Sequence, residues 1–174
     1  MSKIAVLCND GVEEIECLTV VDFCRRAGIE VITVSVTGKR QIMGAHQIVF
    51  HADEVYADMN FDEFDGIVYP GGPGTGAMGE KPGVKERAQK FLNNGKMLAA
   101  ICAAPGMISE TGILKEKHAT GYPGCKPEGG AIWSEDAAVV DGNLVTGKGP
   151  GAAAEFAIEI IRYLAGDIKA EQIR

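Results

Sequence analysis

The chain has 174 residues, 46% of them hydrophobic, which is enough for one well-filled core but short for two domains of ordinary size. The formal net charge of −7, from 17 basic and 24 acidic side chains, argues against direct binding to nucleic acid or to a membrane surface. Because the first apolar run spans only about five residues, we expect neither a signal peptide nor a membrane span, and we predict one cytoplasmic domain over residues 1–174.

Signals for strands and helices alternate along the first third of the chain. The apolar run Ile4–Leu7 predicts a strand, and apolar residues near helical spacing predict a helix within residues 11–28, closed by Gly28. Branched residues at 30–36 predict a second strand, and residues 44–56 are predicted to be extended. This alternation is typical of an α/β protein.

The rest of the chain continues the alternation and indicates a fold class. Uninterrupted apolar runs such as 66–69 and 97–101 are typical of parallel strands covered on both faces. We therefore predict a three-layer α/β/α sandwich with a mostly parallel sheet and a functional site at the carboxyl ends of the strands. The remaining predicted elements, in chain order, are a strand (64–72), a helix (84–95), a strand (96–102), a short helix (106–112), an extended stretch (118–123), a hairpin (137–147) and a last helix (151–166).

A glycine-rich segment follows the fourth predicted strand. Residues 74–79, GTGAMG, match the letters of the dinucleotide-binding motif, which opens directly into a helix and is followed by an acidic residue at the end of the next strand. Here residues 80–84 interrupt the chain before the predicted helix, and the next strand ends in a cysteine. We therefore expect these glycines to form tight turns that present backbone N–H groups, and we predict no cofactor.

The chain has an odd number of cysteines and no C-x-x-C pair, a pattern that favours reduced thiols over a disulfide framework or a structural metal site. We predict no bound metal. Four of the cysteines are interpreted as packing residues or as a loop residue, and the fifth ends the fifth predicted strand. In chain order they are Cys8, Cys17, Cys24, Cys102 and Cys125.

Cys102 stands between a predicted parallel strand and a predicted helix. At such a sharp turn, backbone N–H groups and the helix dipole favour a thiolate, so Cys102 is a candidate nucleophile with a pKa below the free value of about 8.5. Position alone leaves a second interpretation equally open, in which Cys102 is a small core residue.

Four motifs occur together in order along the chain: GVEEIE after the first strand, YPGG at the end of the fourth, AAICAAPG at the end of the fifth, and GKGPGAAAEFA at the last helix. With these motifs the sequence resembles the ThiJ/PfpI superfamily, in its parkinsonism-associated deglycase branch, over essentially its whole length. The resemblance implies a flavodoxin-like sandwich that is commonly a homodimer.

The resemblance also implies roles for individual residues. Cys102 matches the nucleophilic, oxidation-sensitive cysteine of the family, and Glu16 matches the glutamate that hydrogen-bonds it. Gly72 and Ala103 match positions whose N–H groups form an oxyanion pocket, and Gly71 belongs to the same binding segment. We expect Glu16 to be protonated when Cys102 ionises, because a carboxylate beside a thiolate would repel it. From the sequence alone, Glu16 would otherwise be a solvated helix residue, like its two acidic neighbours.

Other positions depart from the family pattern. Many relatives carry a histidine directly after the cysteine or before a later proline, where this chain has Ala103 and Tyr122. The missing adjacent histidine argues against a peptidase. His46 and Lys148 occupy positions that are arginine in close relatives, the first of them contributed to the site by the partner subunit. We predict Tyr122, His46 and Lys148 as further residues lining the site.

The resemblance implies a cysteine-dependent enzyme that acts on reactive carbonyls, of the glyoxalase III or deglycase type, and needs no cofactor. Its substrate would be a small aldehyde or a glycated compound. A sensor or redox chaperone that uses oxidation of Cys102 to a sulfinate is the alternative. A protein related to thiazole monophosphate biosynthesis and a PfpI-type peptidase are weaker alternatives, and the chain shows no dedicated phosphate-binding loop.

Overall fold

A computed structural model describes all residues 1–174 and contains one seven-stranded sheet. Every neighbouring pair in this sheet is parallel except for one antiparallel pair at an edge. In spatial order the strands are β10 (Ala138–Asp141), β11 (Leu144–Gly147), β7 (Met97–Ile101), β6 (Gly66–Tyr69), β1 (Lys3–Cys8), β2 (Glu30–Ser35) and β5 (Glu54–Val55).

Six helices and two small sheets complete the fold. The antiparallel hairpin of β3 (Gln41–Met43) and β4 (Val49–His51) lies outside the main sheet, as does the parallel pair of β8 (His118–Ala119) and β9 (Ile132–Trp133). The helices are α1 (Glu14–Arg26), α2 (Thr75–Gly79), α3 (Val84–Asn93), α4 (Ala104–Ser109), α5 (Ala153–Ala165) and α6 (Asp167–Ile173).

The two faces of the main sheet bury separate apolar clusters. Alternate residues of one strand point to opposite faces, so in β7 Met97 joins the cluster under α1 and α5, while Leu98 joins the cluster under α2, α3 and α4. Phe156 fills the first cluster and Phe91 the second. The predicted three-layer, mostly parallel sandwich is therefore confirmed.

Several local predictions need correction. The stretch 44–56 is not one strand, because β4 within it pairs with the preceding β3 outside the main sheet and only β5 reaches the main sheet. The glycine-rich segment contains the short helix α2, which the sequence analysis did not anticipate. The hairpin around Asp141 and Gly142 is confirmed as β10–β11, with Gly142 at φ +60°.

The parallel strands of the main sheet present their carboxyl ends at a common edge. There the turns after β1, β6 and β7 meet: Gly74 donates its N–H to the carbonyl of Gly11 (3.0 Å), and Glu13 donates to that of Gly71 (3.0 Å). The ends of the first and fourth predicted strands therefore lie beside Cys102 at this edge. None of the helices has the length and apolarity needed to cross a membrane.

Candidate active site

Cys102 follows the last residue of β7 in a strained backbone conformation. Its φ is +63°, a left-handed value that costs a non-glycine residue about 1–3 kcal/mol and persists only where the surroundings hold it. The backbone is fixed on both sides, because the Cys102 N–H donates to the Gly147 carbonyl (2.9 Å) and the Cys102 carbonyl accepts from the Tyr122 N–H (2.8 Å). The sharp turn predicted at this position is present.

Two backbone N–H groups, those of Gly72 and Ala103, lie near the Cys102 thiol and act to lower its pKa. Gly72 has φ +109°, and a Cβ there would lie 2.5 Å from the backbone nitrogen of Glu13. Any larger residue would therefore force the β6 turn away from α1 and away from the sulfur. The pair of N–H groups predicted for Gly72 and Ala103 is thus aimed at the predicted nucleophile.

Gly71 lies next to both the Cys102 side chain and the Glu16 carboxyl group, and it leaves room for them because it has no Cβ. A Cβ at Gly71 would stand 2.6 Å from the Cβ of Cys102 and 2.6 Å from Oε2 of Glu16. The Gly71 N–H instead donates to Glu16 Oε2 (2.8 Å), so this residue orients the glutamate. Its role is therefore to hold Glu16 and to allow its close approach to Cys102.

Glu16 lies in the first turn of α1 with no exposed surface. Its carboxyl group lies beside the Cys102 thiol, close enough for each group to shift the pKa of the other. The second carboxyl oxygen, Oε1, is buried without any hydrogen-bond partner. An ordinary solvated helix residue would have neither property, because burying an unpaired carboxylate is costly.

Glu16 and Cys102 share a perturbed proton equilibrium. Burial raises the pKa of Glu16 to about 7. Burial, and then the charge of the neighbouring Glu16, raises the pKa of the Cys102 thiol to about 12, against the lowering effect of the two N–H donors. This direction is opposite to the acid-shifted thiol expected from the sequence, since that expectation weighed the N–H groups without the burial or the carboxylate. The resting pair keeps its last proton on sulfur.

A cavity of about 370 Å³ opens above Cys102. Tyr122 lines it, as predicted, together with residues that the sequence analysis did not select. The lining consists of Glu13, Glu16, Gly72, Pro73, Cys102, Ala103, Tyr122, Cys125 and Pro150.

Two of the predicted lining residues lie outside this cavity. Lys148 lines a neighbouring cavity of about 470 Å³, where its Nζ is 3.3 Å from Glu135 Oε2, and Tyr122 borders both cavities. His46 is exposed, with Nδ1 3.0 Å from Glu14 Oε2. Within one chain, neither His46 nor Lys148 lines the cavity over Cys102, and each pairs with a carboxylate elsewhere.

The acidic residues that precede Glu16 are buried rather than solvated. Glu13 caps α1 and lines the Cys102 cavity. Burial alone would raise the pKa of Glu14, but hydrogen bonds from His46 and from backbone N–H groups hold it below its ordinary value. One ligand atom from each of Glu13, Glu14 and His46 falls within 4.8 Å of the others, a spacing that a divalent cation would accept. The direct His46–Glu14 contact already pairs these charges.

Sequence reasoning missed two chemically distinctive lining residues, Glu13 and Cys125. Glu13 precedes a helix and carries the capping position, but glutamate is not a common N-cap residue. Cys125 follows Tyr122 by three residues, and its N–H donates to the Tyr122 carbonyl (2.8 Å). The only local signal in the sequence was the proline and glycine between Tyr122 and Cys125, which indicate a turn that could bring the thiol near the site.

The fold and the site together define a class of protein: a flavodoxin-like α/β sandwich that presents a cysteine on a strained turn after a central strand, beside a buried glutamate. Known proteins share this architecture. The crystal structure of Drosophila melanogaster DJ-1beta superposes with a TM-score of 0.93 at 36% identity, covering 99% of this chain and 96% of that one. By sequence, the chain is 38% identical to the Drosophila protein dj-1beta, covering 99% of this chain and 95% of the relative.

The chain belongs to the DJ-1/PfpI family, whose sequence model matches residues 2–163. Two further relatives carry names that describe an activity. The chain is 31% identical to the glutathione-independent glyoxalase DJR-1.2 of Caenorhabditis elegans, covering 99% of this chain and 93% of the relative. It is also 31% identical to a deglycase of Pyrococcus abyssi, covering 93% of this chain and 99% of the relative. The resemblance drawn from the four motifs is confirmed.

Proposed function

We propose that this protein is a cofactor-independent cysteine enzyme that acts on reactive carbonyl compounds, of the glyoxalase or deglycase type. The observation that carries the proposal is the buried Glu16 carboxyl group, with one oxygen unpartnered, beside a strained Cys102 that faces two backbone N–H donors. The names of the C. elegans and P. abyssi relatives support the same substrate class.

In the first step, Glu16 removes the proton from the Cys102 thiol while Sγ attacks the aldehyde carbon. A base with a pKa of about 7 suits this task near neutral pH and takes the place of the histidine that is missing next to Cys102. The electron pair of the carbonyl bond moves to oxygen, where the N–H groups of Gly72 and Ala103 hold the negative charge. Glu16 then returns its proton to that oxygen, which completes a hemithioacetal.

In the second step, a neighbouring carbonyl group allows an internal proton transfer. Glu16 takes the proton from the hemithioacetal carbon, and an enediol forms across the two substrate carbons. Return of the proton to the adjacent carbon gives a thioester on Cys102, and hydrolysis by water frees the thiol and a 2-hydroxy acid. An early glycation adduct first releases its amine, which takes the proton of the adduct hydroxyl group and leaves the free aldehyde, and the same sequence then gives the hydroxy acid.

Lactate formation from methylglyoxal tests this proposal. Protein purified free of other glyoxalases should produce lactate without added glutathione or metal, and a panel of aldehydes should show that 2-oxoaldehydes react faster than simple aldehydes. We expect this difference because only 2-oxoaldehydes have the adjacent carbonyl group that the internal proton transfer needs. Absence of lactate from folded, reduced protein would rule the glyoxalase activity out.

Replacement of Tyr122 by phenylalanine should leave most of this turnover intact. Tyr122 lines the cavity, where its hydroxyl group can donate a hydrogen bond to a substrate oxygen, so we assign it a binding role and not that of the base. Loss of one neutral hydrogen bond to substrate should cost about 1 kcal/mol, or about fivefold in kcat/KM. Steady-state kinetics with methylglyoxal measure this, and abolished activity would mean that the base is not Glu16 alone.

Oxidation of Cys102 to a sulfinate is a second candidate function. The same Gly72 and Ala103 N–H groups and the same Glu16 would hold the sulfinate oxygens. The five cysteines are all unpaired thiols, which suits the reducing cytoplasm, where we place this protein. The two functions separate by assay, because a sensor without enzyme activity would oxidise at Cys102 yet form no lactate.

We further propose that two copies of the chain form a homodimer through an apolar surface beside the site. Gly44 and Ala45 of the β3–β4 hairpin pack against the start of α1, where the Ala45 N–H donates to the Val12 carbonyl (2.8 Å). This places the exposed apolar residues of the two elements on adjoining surface: Ile15, Leu18, Met43, Ile48 and Val49.

Replacement of Ile48 by glutamate should convert this dimer to monomer, because a charge would be buried against the partner copy. Light scattering after gel filtration measures the mass. Ile168→Glu, which changes an exposed apolar residue on α6, is the matched control and should leave the dimer intact. A wild-type protein that is monomeric at micromolar concentration would contradict the proposed assembly.

A further inference from the structure

Cys125 is the exposed member of the five cysteines, and it lines the same cavity as Cys102. It also lines a second cavity of about 510 Å³ that shares Gly72, Pro73 and Ala103 with the first. The carbonyl chemistry proposed above gives Cys125 no task. A nucleophilic side chain therefore stands unused beside the reactive sulfur and remains reachable from solvent.

The backbone holds the Cys125 turn directly against the Cys102 turn. The Tyr122 N–H donates to the Cys102 carbonyl (2.8 Å), and the Cys125 N–H donates to the Tyr122 carbonyl (2.8 Å). On the other side, a Cβ at Gly106 would lie 2.6 Å from the Cys125 carbonyl oxygen, so only glycine in α4 allows this approach. Three short links thus tie Cys125 to the segment that carries the nucleophile.

Cys8 and Cys17 form a second pair of cysteines, which is sealed from solvent. The sulfurs of Cys8 and Cys17 are 3.7 Å apart, and both residues have no exposed surface. A peroxide cannot reach either sulfur without opening the apolar core, whereas Cys102 and Cys125 both line a cavity. Accessibility therefore favours Cys102 and Cys125 over Cys8 and Cys17.

We propose that Cys125 is a resolving cysteine, so that the two thiols reduce hydrogen peroxide to water and close a Cys102–Cys125 disulfide. Glu16 takes the thiol proton as Cys102 Sγ attacks one peroxide oxygen. The O–O bond breaks, sulfur is oxidised to a sulfenic acid, and the leaving hydroxide takes the proton from Glu16 and departs as water.

The second half of the reaction forms the disulfide. The Cys125 sulfur attacks the sulfur of the sulfenic acid, the S–S bond forms and the S–O bond breaks. The departing hydroxide takes the Cys125 thiol proton and leaves as a second water. Two thiols and one hydrogen peroxide thus give one disulfide and two waters, and an external dithiol restores the starting state by attack at the exposed Cys125.

This chemistry competes with the formation of a sulfinate. A second peroxide must reach the sulfenic acid before Cys125 does, so the resolving thiol diverts Cys102 from irreversible oxidation into a reversible disulfide. The reaction uses Cys102 and Glu16 but no carbonyl substrate. Its outcome is therefore independent of whether lactate is formed.

The test treats fully reduced, full-length protein with a small molar excess of hydrogen peroxide and maps the products by mass spectrometry without reduction. In the wild type, the main oxidised peptide should be the Cys102–Cys125 linkage within one chain. In Cys125→Ser, this linkage should disappear and the fraction of Cys102 sulfinate should rise several-fold at the same dose. Cys24→Ala, which removes a buried thiol away from the cavity, should behave like the wild type.

Other products would overturn the proposal. A Cys8–Cys17 linkage as the main product would show that proximity outweighs access. Equal sulfinate fractions in wild type and Cys125→Ser, or linkage only between two chains, would show that Cys125 does not resolve the sulfenic acid. Thermal melting of each variant confirms that the proteins compared are folded.

Discussion

Replacing Cys102 by serine should abolish aldehyde turnover, lowering kcat/KM by at least about 10⁴-fold. A serine hydroxyl is a far weaker acid than a thiol, so Glu16 with a pKa of about 7 removes its proton to a negligible extent. The N–H groups of Gly72 and Ala103 would remain, yet without the covalent bond to substrate they have no oxyanion to hold. Lactate formation from methylglyoxal measures the loss.

The matched control for this variant is Cys24→Ala, which removes a buried thiol from α1 outside the cavity. It should retain wild-type turnover if it folds, and circular dichroism and melting curves check both proteins. Cys102 differs from Cys24 in having the strained turn and the two N–H donors. Residual lactate formation in Cys102→Ser at the wild-type rate would mean that the reaction does not use the strand-end thiol.

The sequence predicted the features that depend on local pattern. Apolar runs such as Met97–Ile101 fill both faces of the sheet, so the layer architecture followed from periodicity and from the glycines that end the elements. The turn at Cys102 followed from its place between a strand and a helix. The pairing of Glu16 with Cys102 came from the resemblance, because 86 residues separate them and no local signal connects them.

Features that depend on packing could not be predicted in this way. The three glutamates of GVEEIE resemble a solvated first turn, whereas the β6 turn and the β3–β4 hairpin bury all of them. Burial and charge together reversed the expected direction of the Cys102 pKa. Cys125 reached the cavity through the Gly106 approach and two backbone hydrogen bonds, which are tertiary contacts.

The second large effect concerns Glu16, whose replacement by glutamine or leucine should lower aldehyde turnover by about 10²-fold or more, the usual scale of a lost general base. The two variants differ in what they leave beside the sulfur. Glutamine keeps a hydrogen-bond donor but exchanges no proton, and leucine keeps neither. A wild-type rate in both variants would return Glu16 to the status of an ordinary buried helix residue.

The rate of Cys102 alkylation in the same two variants separates the effect of the Glu16 charge from the role of Glu16 in proton transfer. The Glu16 carboxylate raises the pKa of Cys102, so removing its charge while keeping a donor should lower that pKa and speed alkylation of Glu16→Gln above the wild type at pH 8. Glu16→Leu also loses the charge, but it offers no hydrogen-bond donor to the Cys102 thiolate. Burial then keeps the pKa of Cys102 higher than in the glutamine variant, so alkylation of Cys102 should be slower. Mass-mapped alkylation rates at Cys102 measure both, and a slower reaction in Glu16→Gln than in wild type would contradict the charge argument.

The pH dependence of wild-type turnover tests the shared proton directly. Catalysis needs one proton on the pair, so kcat/KM should rise as the first proton leaves Glu16, through a pKa of about 7, and should stay level until the second leaves Cys102 near 12. In Glu16→Gln the limb near pH 7 should vanish from the remaining activity, because no carboxyl group titrates there. Persistence of that limb in the glutamine variant would assign it to another group and remove Glu16 as the base that starts the reaction.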